Sequence, residues 1–319
     1  MPPPGEFELI ARHFTRPVQR AALGVGDDCA LLRVDAGQQL AVSSDMLVEG
    51  RHFLSTVAPE RLGHKALAVN LSDLAACGAQ PLAFTLALAL PRADDDWLAG
   101  LARGLLALAD RHGIELVGGD TTAGPLNLCI TVMGQVPAGQ ALLRSGAKPG
   151  DELWVSGTLG DARLALEVFR GTAALAGHDF ERVRRAMECP EPRVALGQAL
   201  RGVARAAIDI SDGLLGDLGH ILQRSVVGAR VDLAALPRST VLAAQPRALQ
   251  HECLLRGGDD YELLFTAPPA AAAAVQRAGD AAGVAVTRIG TITAEPTLVV
   301  VDEHGREQHP AARGFDHFA

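Results

Sequence analysis

Aspartates stand beside glycines or at predicted strand ends at five places along this chain of 319 residues. They are Asp27 and Asp28 after Gly24-Val25-Gly26, Asp45 after Ser43-Ser44, Asp120 after Gly118-Gly119, Asp209 and Asp212 around Ile210-Ser211, and Asp259 and Asp260 after Gly257-Gly258. One such aspartate is ordinarily a turn residue. Eight aspartates at five such places, each at a strand end or a glycine turn where the backbone can approach a ligand, indicate carboxylates gathered around a bound group.

Asp73 differs from these aspartates because the sequence places it inside a helix. The pattern predicts a helix from Pro59 to about Cys77, with Gly78 as its stop signal. Aspartate is a poor residue in mid-helix, where it has no cap to make. A solvated polar face is the ordinary explanation, but Ala66–Ala76 is otherwise largely apolar. We therefore expect Asp73 to have a chemical role.

Carboxylates with few neighbouring His or Cys residues suit hard cations, and this composition favours Mg²⁺ over Zn²⁺. In proteins, Mg²⁺ held by scattered carboxylates usually bridges the phosphates of a substrate. The aspartates thus predict a phosphoryl-transfer site. A structural metal site or a Ca²⁺ site is the alternative, although the chain has no D-x-D-x-D-G loop with a Glu at its twelfth position.

Several other functions lack their sequence signals. Neither Lys65 nor Lys148 completes a Walker A motif, and the protein-kinase loops and a G-x-S-x-G nucleophile motif are missing. A dinucleotide site at Gly24-Val25-Gly26 is disfavoured because the two following aspartates would repel a pyrophosphate. The net charge of −8 and the 4% aromatic content argue against nucleic acid as a partner. His52 and Arg144, taken alone, are ordinary surface residues.

The order of predicted elements indicates two domains of the α+β class. Predicted strands include Ala30–Val34, Leu40–Ser43, Leu82–Leu90 and Glu152–Ser156, and predicted helices alternate with them irregularly. A segment rich in Gly, Pro and Ala, Pro137–Lys148, is the candidate linker.

Cysteine usage and the chain's start suggest the cellular compartment. The five cysteines form no CxxC pair, and no basic segment followed by an apolar run opens the sequence. The longest apolar runs have the length of a strand. We therefore expect a soluble, cytoplasmic protein with reduced thiols and no membrane partner.

Together, these motifs resemble the thiamine-monophosphate kinase family over nearly the whole chain. They are Gly24-Val25-Gly26-Asp27-Asp28-Cys29-Ala30, Ser43-Ser44-Asp45, Val48-Glu49-Gly50-Arg51-His52-Phe53, Asn70-Leu71-Ser72-Asp73-Leu74, Gly118-Gly119-Asp120-Thr121-Thr122, Arg144-Ser145-Gly146-Ala147-Lys148-Pro149-Gly150-Asp151, Asp209-Ile210-Ser211-Asp212-Gly213, Gly257-Gly258-Asp259-Asp260-Tyr261-Glu262-Leu263 and Gly314-Phe315-Asp316-His317-Phe318.

The resemblance implies a phosphotransferase whose acceptor is a phosphate group. Such an enzyme makes thiamine diphosphate from thiamine monophosphate, with ATP as co-substrate and several Mg²⁺ ions as cofactors. The implied fold is that of the aminoimidazole ribonucleotide (AIR) synthetase-like superfamily. Its N-terminal domain, here residues 1–137, binds ATP and Mg²⁺ and makes a homodimer through its sheet, while a C-terminal α+β domain covers residues 149–305. A tail, residues 306–319, contributes to the substrate site.

The resemblance also assigns site residues, none of them a general base or a nucleophile. Asp45 and Asp120 act electrostatically through Mg²⁺. The Mg²⁺ ligands implied by the motifs are Asp27, Asp28, Ser43, Ser44, Asp45, Asp73, Asp120, Asp209 and Asp212. Contacts to ATP are implied for Gly119, Asp120, Arg144 and Ser211, and contacts to thiamine monophosphate for His52, Asp259 and Phe315.

Two positions depart from the family's pattern. The family commonly has Thr where Ser44 stands, which keeps the hydroxyl, and Glu where Asp259 stands, which is one methylene longer. A change at an acceptor-binding position leaves an alternative open. A non-catalytic sensor of the same superfamily would bind Mg-ATP without phosphorylating an acceptor.

Overall fold

The computed structural model describes residues 6–26 and 29–311. Its α-helices are α1 (Glu6–His13), α2 (Pro59–Ala76), α3 (Asp95–His112), α4 (Asp161–Phe169), α5 (Gly177–Glu188), α6 (Val194–Ala199), α7 (Leu214–Ser225), α8 (Thr240–Ala243), α9 (Arg247–Arg256) and α10 (Ala272–Ala282). Its strands are β1 (Gln38–Val48), β2 (Gln80–Leu90), β3 (Glu115–Ala123), β4 (Asn127–Pro137), β5 (Glu152–Ser156), β6 (Ala206–Asp209), β7 (Gly228–Asp232), β8 (Leu263–Ala267), β9 (Val286–Thr293), β10 (Leu298–Val301) and β11 (Glu307–Gln308).

The chain divides into two compact units, each with helices and a sheet, so its fold is α+β with two domains. The first unit extends to Gly139, and the second begins at Gln140 and also takes in Ala75–Gly78 at the end of α2. Within the described residues, no helix has both the length and the apolar character needed to cross a membrane.

The first unit is built on a four-stranded sheet with the order β1-β4-β2-β3. The neighbours β2 and β3 are parallel, and the other pairs are antiparallel. Alternate residues of the central strands, such as Phe84 and Val132, are fully buried. Helices α2 and α3 pack closely, because a Cβ atom added at Gly63 would lie 2.0 Å from the carbonyl oxygen of Leu101.

Helix α3 has the end signals expected from its sequence. The side chain of Asp94 caps its start by accepting a hydrogen bond of 3.1 Å from the backbone N–H of Trp97. Gly113 ends it in the left-handed conformation, with φ at 59°.

One predicted strand is wrong. Ala30–Val34 is not a strand, and Leu31 forms an isolated bridge with Leu23. Ala30 and Leu32 instead pack against a small apolar cluster that includes Leu82 and Val117. The apolar residues of this segment therefore pack against the cluster, but among the described residues no neighbouring strand forms a ladder with them.

The second unit contains a seven-stranded sheet with the order β11-β10-β7-β9-β5-β8-β6. Strands β10 and β7 are parallel, and the other pairs are antiparallel. Its core is a large apolar cluster that joins Leu153 and Val155 of β5 to residues of α4 and α7, such as Leu164 and Leu218. Strand β6 lies at an edge of this sheet, and it ends at Asp209.

Candidate active site

Asp73 and Ser43 lie side by side in the first unit. Ser43 is on β1 and Asp73 on α2, and the Ser43 hydroxyl donates a hydrogen bond of 2.5 Å to Oδ2 of Asp73. Asp73 is half-buried although the residues on either side of it are buried. The helix therefore presents this carboxylate to β1 and not to open solvent.

Asn70, one turn before Asp73, holds the next residues of β1. Its Oδ1 accepts a hydrogen bond of 3.1 Å from the backbone N–H of Asp45, and its Nδ2 donates to the carbonyl oxygen of Ala66. Asn70 is 1% exposed. Asn70 opens the motif Asn70-Leu71-Ser72-Asp73-Leu74, but no function was predicted for it from the sequence.

Ser44 lies on the opposite face of β1 from Ser43 and Asp45, as strand alternation requires. Its hydroxyl lies 3.0 Å from Oγ1 of Thr131 and donates to the carbonyl oxygen of Ile130. A contribution from Ser44 to an ion held by Asp73 would therefore come from its backbone oxygen.

Asp45 and Asp120 lie on the two edge strands of the four-stranded sheet. Asp45 on β1 pairs with Ile130 on β4. The same row continues through Leu86 on β2 to Gly119 on β3, the residue before Asp120. Three strand spacings separate the edges, which is roughly 14 Å along the sheet. One ion cannot contact both carboxylates within a single sheet of this kind.

Gly119 is required by the packing of β3 against β2. Its φ is +151°, and a Cβ atom at this position would lie 1.9 Å from the carbonyl oxygen of Leu86. Only glycine fits such a close approach of two backbones. The residue thus has a structural reason for its identity in addition to the ATP contact implied by the resemblance.

His52 follows β1 in a turn that fixes its ring. Its Nδ1 accepts a hydrogen bond of 2.9 Å from the backbone N–H of Val48, and its carbonyl oxygen accepts from Nζ of the buried Lys65. Because Nδ1 is the acceptor, the neutral ring carries its proton on Nε2. His52 can therefore offer an N–H donor to a phosphate or another acceptor.

Glu115, at the start of β3, anchors the segment that precedes Gly24-Val25-Gly26. Its carboxylate accepts hydrogen bonds from the backbone N–H groups of Gln19, Arg20 and Ala21, at 2.6 to 3.1 Å. Partial burial opposes its ionisation, but these three N–H groups outweigh burial and lower the pKa of Glu115 below its usual value. Asp27 and Asp28, farther along this segment, lie outside the described residues.

In the second unit, a cluster of predicted site residues lies at the connection from β6 to α7. Asp209 ends β6, Ser211 and Asp212 follow it, and Asp217 of α7 contacts them. Asp217 is 3% exposed, and its Oδ2 accepts hydrogen bonds of 3.1 Å from the backbone N–H groups of Ser211 and Asp212. Burial raises the pKa of Asp217 to about 7, and the charge of Asp209 adds to this shift. Asp217 was not predicted as a site residue from the sequence. The signal that could have selected it is its position in the first turn of α7, where a carboxylate is favoured.

The loop of residues 257–262 packs against this segment. The backbone N–H of Asp259 donates to the carbonyl oxygen of Ser211, and that of Tyr261 to the carbonyl oxygen of Ile210. A Cβ atom added at Gly258 would lie 2.4 Å from the carbonyl oxygen of Ser211. The predicted acceptor-binding residue Asp259 is therefore held against the predicted ATP-binding residue Ser211.

Asp260, next to Asp259, has a different environment. Both of its carboxylate oxygens accept from the backbone N–H of Gly160, at 2.9 and 3.0 Å, where α4 begins. Burial and the nearby carboxylates of Glu262 and Asp161 raise the pKa of Asp260 well above its ordinary value. This carboxyl group fixes the loop to the fold.

Arg144 also belongs to the second unit, and its side chain is exposed. The preceding carbonyl oxygen, of Leu143, accepts from the backbone N–H of Ala207 on β6. The carbonyl oxygen of Arg144 accepts a hydrogen bond of 3.4 Å from the Ser225 hydroxyl at the end of α7. Phe315, the third residue implied for the acceptor, lies outside the described residues.

The predicted Mg²⁺ ligands carry carboxylate and hydroxyl oxygens, which are the donor types that Mg²⁺ takes. In the described part of the chain, no three His, Cys, Asp or Glu side chains are arranged to hold a metal ion. However, three carboxyl groups lie near one another at the connection from β6 to α7, since Oδ2 of the buried Asp217 accepts from the backbone N–H of Asp212, and Asp209 ends β6 three residues before Asp212. A divalent cation beside Asp209 and Asp212 would relieve the repulsion between these groups, and carboxylate oxygens are the ligands that Mg²⁺ takes.

Two family models match the chain. "AIR synthase related protein, N-terminal domain" matches residues 26–136, and "AIR synthase related protein, C-terminal domain" matches residues 148–303. These two matches cover well over half of the chain, so the fold is AIR synthase-like.

The chain is similar to named thiamine-monophosphate kinases. The curated enzyme of Escherichia coli K12 is 46% identical over 99% of this chain and 98% of its own length. A crystal structure of thiamine-monophosphate kinase from Stenotrophomonas maltophilia K279a has a TM-score of 0.85 and 48% identity, covering 92% of this chain and 94% of that chain.

A third relative was solved with ligands. The structure named "AaThiL complexed with AMPPCP and TMP" has a TM-score of 0.77 and 28% identity, and it covers 90% of this chain and 89% of that chain. Identity of 46% over nearly the full length of a named enzyme is decisive for the family. The chain belongs to the thiamine-monophosphate kinase family of the AIR synthase-related proteins.

Proposed function

We propose that this protein is a thiamine-monophosphate kinase, which transfers the γ-phosphoryl group of ATP to thiamine monophosphate and releases ADP and thiamine diphosphate. The observation that carries the proposal is the full-length similarity to the E. coli enzyme of that name. ATP and thiamine monophosphate as the two substrates are further supported by the relative whose structure is named for AMPPCP and TMP.

The acceptor chemistry explains why the site needs no general base. The phosphate monoester of the acceptor is largely ionised near neutral pH, because its second pKa is about 6. It is already a nucleophile. The obstacle is repulsion between two polyanions, so the protein must hold positive charge between them and align the groups in line.

We propose that this chain's carboxylates hold Mg²⁺ for that purpose. Asp45, Asp73 and Asp120 would do so in the first unit and Asp209 and Asp212 in the second, together with Asp27, Asp28 and the Ser43–Ser44 segment. When bound, Mg²⁺ neutralises phosphate charge as the phosphoryl group moves. Ser43 orients the Asp73 carboxylate, and Asn70 fixes the backbone at Asp45.

The substrates would contact a second group of residues. Gly119 and Asp120 of β3, together with Ser211 and Arg144, are proposed to contact ATP, with Arg144 pairing its guanidinium with phosphate oxygens. His52, Asp259 and Phe315 are proposed to contact thiamine monophosphate. The Nε2–H of His52 suits a phosphate oxygen, and the carboxylate of Asp259 suits the amino group on the pyrimidine ring of thiamine.

We propose direct transfer between the two substrates, without a phosphorylated enzyme. The acceptor phosphate is already ionised, so it needs neither activation by a base nor a nucleophilic side chain to carry the phosphoryl group. With a chiral γ-thiophosphate of ATP, one in-line transfer predicts inversion of configuration at phosphorus. Net retention would instead indicate two transfers and contradict the proposal.

We also propose a homodimer formed through the sheet of the first unit. Leu40, Val42 and Met46 of β1 share one face of the sheet and are 49%, 58% and 53% exposed. An exposed apolar face on an edge strand is a suitable contact surface for the same face of a second copy of the chain. The strand register places Asp120 on the same face as Met46 and Asp45 on the opposite face, so the dimer would bring Asp120 to the subunit interface.

The domain limits and the compartment complete the proposal. We assign residues 1–137 to the N-terminal domain, 149–305 to the C-terminal domain and 306–319 to a tail that reaches the acceptor site. Since the reaction draws on the ATP pool, we place the enzyme in the cytoplasm.

A chromatographic assay tests the reaction. Purified protein is incubated with Mg-ATP and thiamine monophosphate, with thiamine as a control acceptor, and products are separated from a parallel reaction of the Asp120→Asn variant. The proposal is supported if thiamine diphosphate forms with thiamine monophosphate but not with thiamine, and with the unmodified protein but not with the Asp120→Asn variant. Bound ATP with no ADP formed on either acceptor would contradict it and favour the non-catalytic sensor.

A further inference from the structure

Tyr261 is the single tyrosine of the chain, and it is 8% exposed. Its hydroxyl donates a hydrogen bond of 3.1 Å to Oδ1 of Asp259, two residues earlier in the same loop. Neither the sequence nor the family resemblance assigned a role to this hydroxyl. It contacts a carboxylate that we place in the acceptor site.

The loop holds these two residues in an unusual backbone conformation. Asp259 has φ at +66° and Tyr261 at +50°, both in the left-handed region that side chains with a Cβ avoid. This conformation brings the Cβ atom too close to the following carbonyl oxygen and is therefore unfavourable. Strained residues persist where surrounding contacts determine them, and they are common at functional sites.

The contacts that impose this conformation come from both sides of the loop. On one side, the N–H groups of Asp259 and Tyr261 donate to carbonyl oxygens of the segment that carries Ser211, at 2.9 and 2.8 Å. On the other side, Asp260 binds the N–H of Gly160 at the start of α4. The backbone of the loop is thus fixed, while the Asp259 side chain still has two rotatable bonds.

We propose that Tyr261 is a positioning residue, whose hydroxyl holds the Asp259 carboxylate in the orientation that receives the amino group on the pyrimidine ring of the acceptor. The proposal rests on the proposed function, because it concerns the contact between Asp259 and thiamine monophosphate. Fixing a carboxylate before binding removes the entropy cost of ordering it later. Tyr261 therefore affects binding of the acceptor and leaves binding of ATP unchanged.

The first test is kinetic. Tyr261→Phe removes the hydroxyl and keeps the ring, so the KM for thiamine monophosphate should rise about 5- to 10-fold, as loss of a hydrogen bond worth about 1 kcal/mol implies. The KM for ATP and kcat should stay within about twofold. The matched control is Thr266→Val, which removes a buried hydroxyl that has no hydrogen-bond partner among the described groups and should change neither KM.

A double-mutant cycle separates positioning from general support of the fold. In an Asp259→Ala background the hydroxyl has no carboxylate to hold, so adding Tyr261→Phe should raise the KM for the acceptor less than twofold further. An equal rise in both backgrounds would overturn the proposal, as would an unchanged KM in the single variant. An unmodified protein that forms no thiamine diphosphate would refute the proposed function, and this proposal with it.

A spectroscopic measurement keeps the test valid if Tyr261→Phe fails to fold. Because the chain has one tyrosine, growth on 3-fluorotyrosine labels position 261 alone. Thiamine monophosphate should shift the ¹⁹F resonance, ADP with Mg²⁺ should leave it in place, and Asp259→Ala should abolish the acceptor-induced shift. A resonance that responds to neither ligand, or that responds to the acceptor equally without the Asp259 carboxylate, would refute the positioning role.

Discussion

The backbone N–H of Asp259 donates a hydrogen bond of 2.9 Å to the carbonyl oxygen of Ser211. These residues belong to different motifs, one proposed for the acceptor and the other for ATP. Their direct contact means that the two motifs form one rigid part of the second unit. A phosphoryl transfer needs its two substrates held in a near-attack geometry, and under the proposed assignments this backbone contact would join the part that binds the acceptor to the part that binds ATP.

Replacing a carboxylate proposed to bind Mg²⁺ should remove activity and keep the fold. Asp120→Asn should lower kcat by at least about 100-fold at saturating Mg²⁺, because the amide carries no charge to hold the ion. The matched control is Asp96→Asn, the same change at an exposed residue in the first turn of α3. Thermal unfolding should show both variants folded. Near-normal turnover of Asp120→Asn would exclude Asp120 from the site.

The hydroxyl of Ser43 should matter for metal affinity. Ser43→Ala removes the donor that lies 2.5 Å from Asp73 Oδ2, so the Mg²⁺ concentration for half-maximal rate should rise about tenfold, since a hydrogen bond to a charged group contributes about 1.5–3 kcal/mol. Ser44→Ala is the control, since its hydroxyl lies on the other face of β1. Equal Mg²⁺ requirements of these two variants would contradict the assignment.

The stability of the protein should depend on pH through Asp161. Burial raises the pKa of this carboxyl above its ordinary value of 3.8, although the Ser239 hydroxyl, at 2.6 Å, opposes the shift. The unfolded chain then releases the proton first, so Asp161 lowers the free energy of unfolding as pH rises from 3.8 toward the raised pKa. Asp161→Asn keeps an oxygen for Ser239 and cannot ionise.

Urea unfolding at pH 4 and at pH 7 measures this difference. The free energy of unfolding of Asp161→Asn, relative to the unmodified protein, should be greater at pH 7 than at pH 4. Asp96→Asn controls for the change in net charge and should show no such trend. If the relative stability of Asp161→Asn fell as pH rose, the direction of the pKa shift would be wrong.

The proposed dimer can be disrupted at the exposed face of β1. Val42→Asp places a charge where an apolar side chain is 58% exposed, so the protein should sediment as a monomer while the unmodified protein sediments with twice the chain's mass. Leu143→Asp, which changes another exposed apolar residue of the second unit, should remain dimeric. An unmodified protein that is monomeric at micromolar concentration would refute the dimer.

Elements with strong local signals could be predicted from the sequence. The helix with Asp73 runs over Pro59–Ala76, within one residue of the prediction, and β5 matches its predicted limits. Their signals are local, namely stop glycines, initial acids and runs of apolar residues. Helices α5 and α9 were not predicted, because their sequences carry many charged residues and no clear cap: each has an N-cap residue without a side-chain hydrogen bond.

The site was predicted in its residue types more than in its geometry. The family resemblance implied that Asp45 and Asp120 act through Mg²⁺, but their places on opposite edge strands follow from the strand order β1-β4-β2-β3, a non-local property. Asn70, Asp217 and Tyr261 were missed for a similar reason. Asn70 and Asp217 accept hydrogen bonds from backbone N–H groups of another strand or turn. Tyr261 reaches Asp259 through the left-handed backbone of their loop. These contacts exist only once the chain has folded.

The central claim is that the γ-phosphoryl group of ATP is transferred to the phosphate of thiamine monophosphate. Incubation with [γ-³²P]ATP, thiamine monophosphate and Mg²⁺ tests it most directly. We expect the label in the terminal phosphate of thiamine diphosphate, in equal amount to the ADP formed and dependent on the acceptor. Label released only as inorganic phosphate, or retained in ATP while the protein binds it, would contradict the claim.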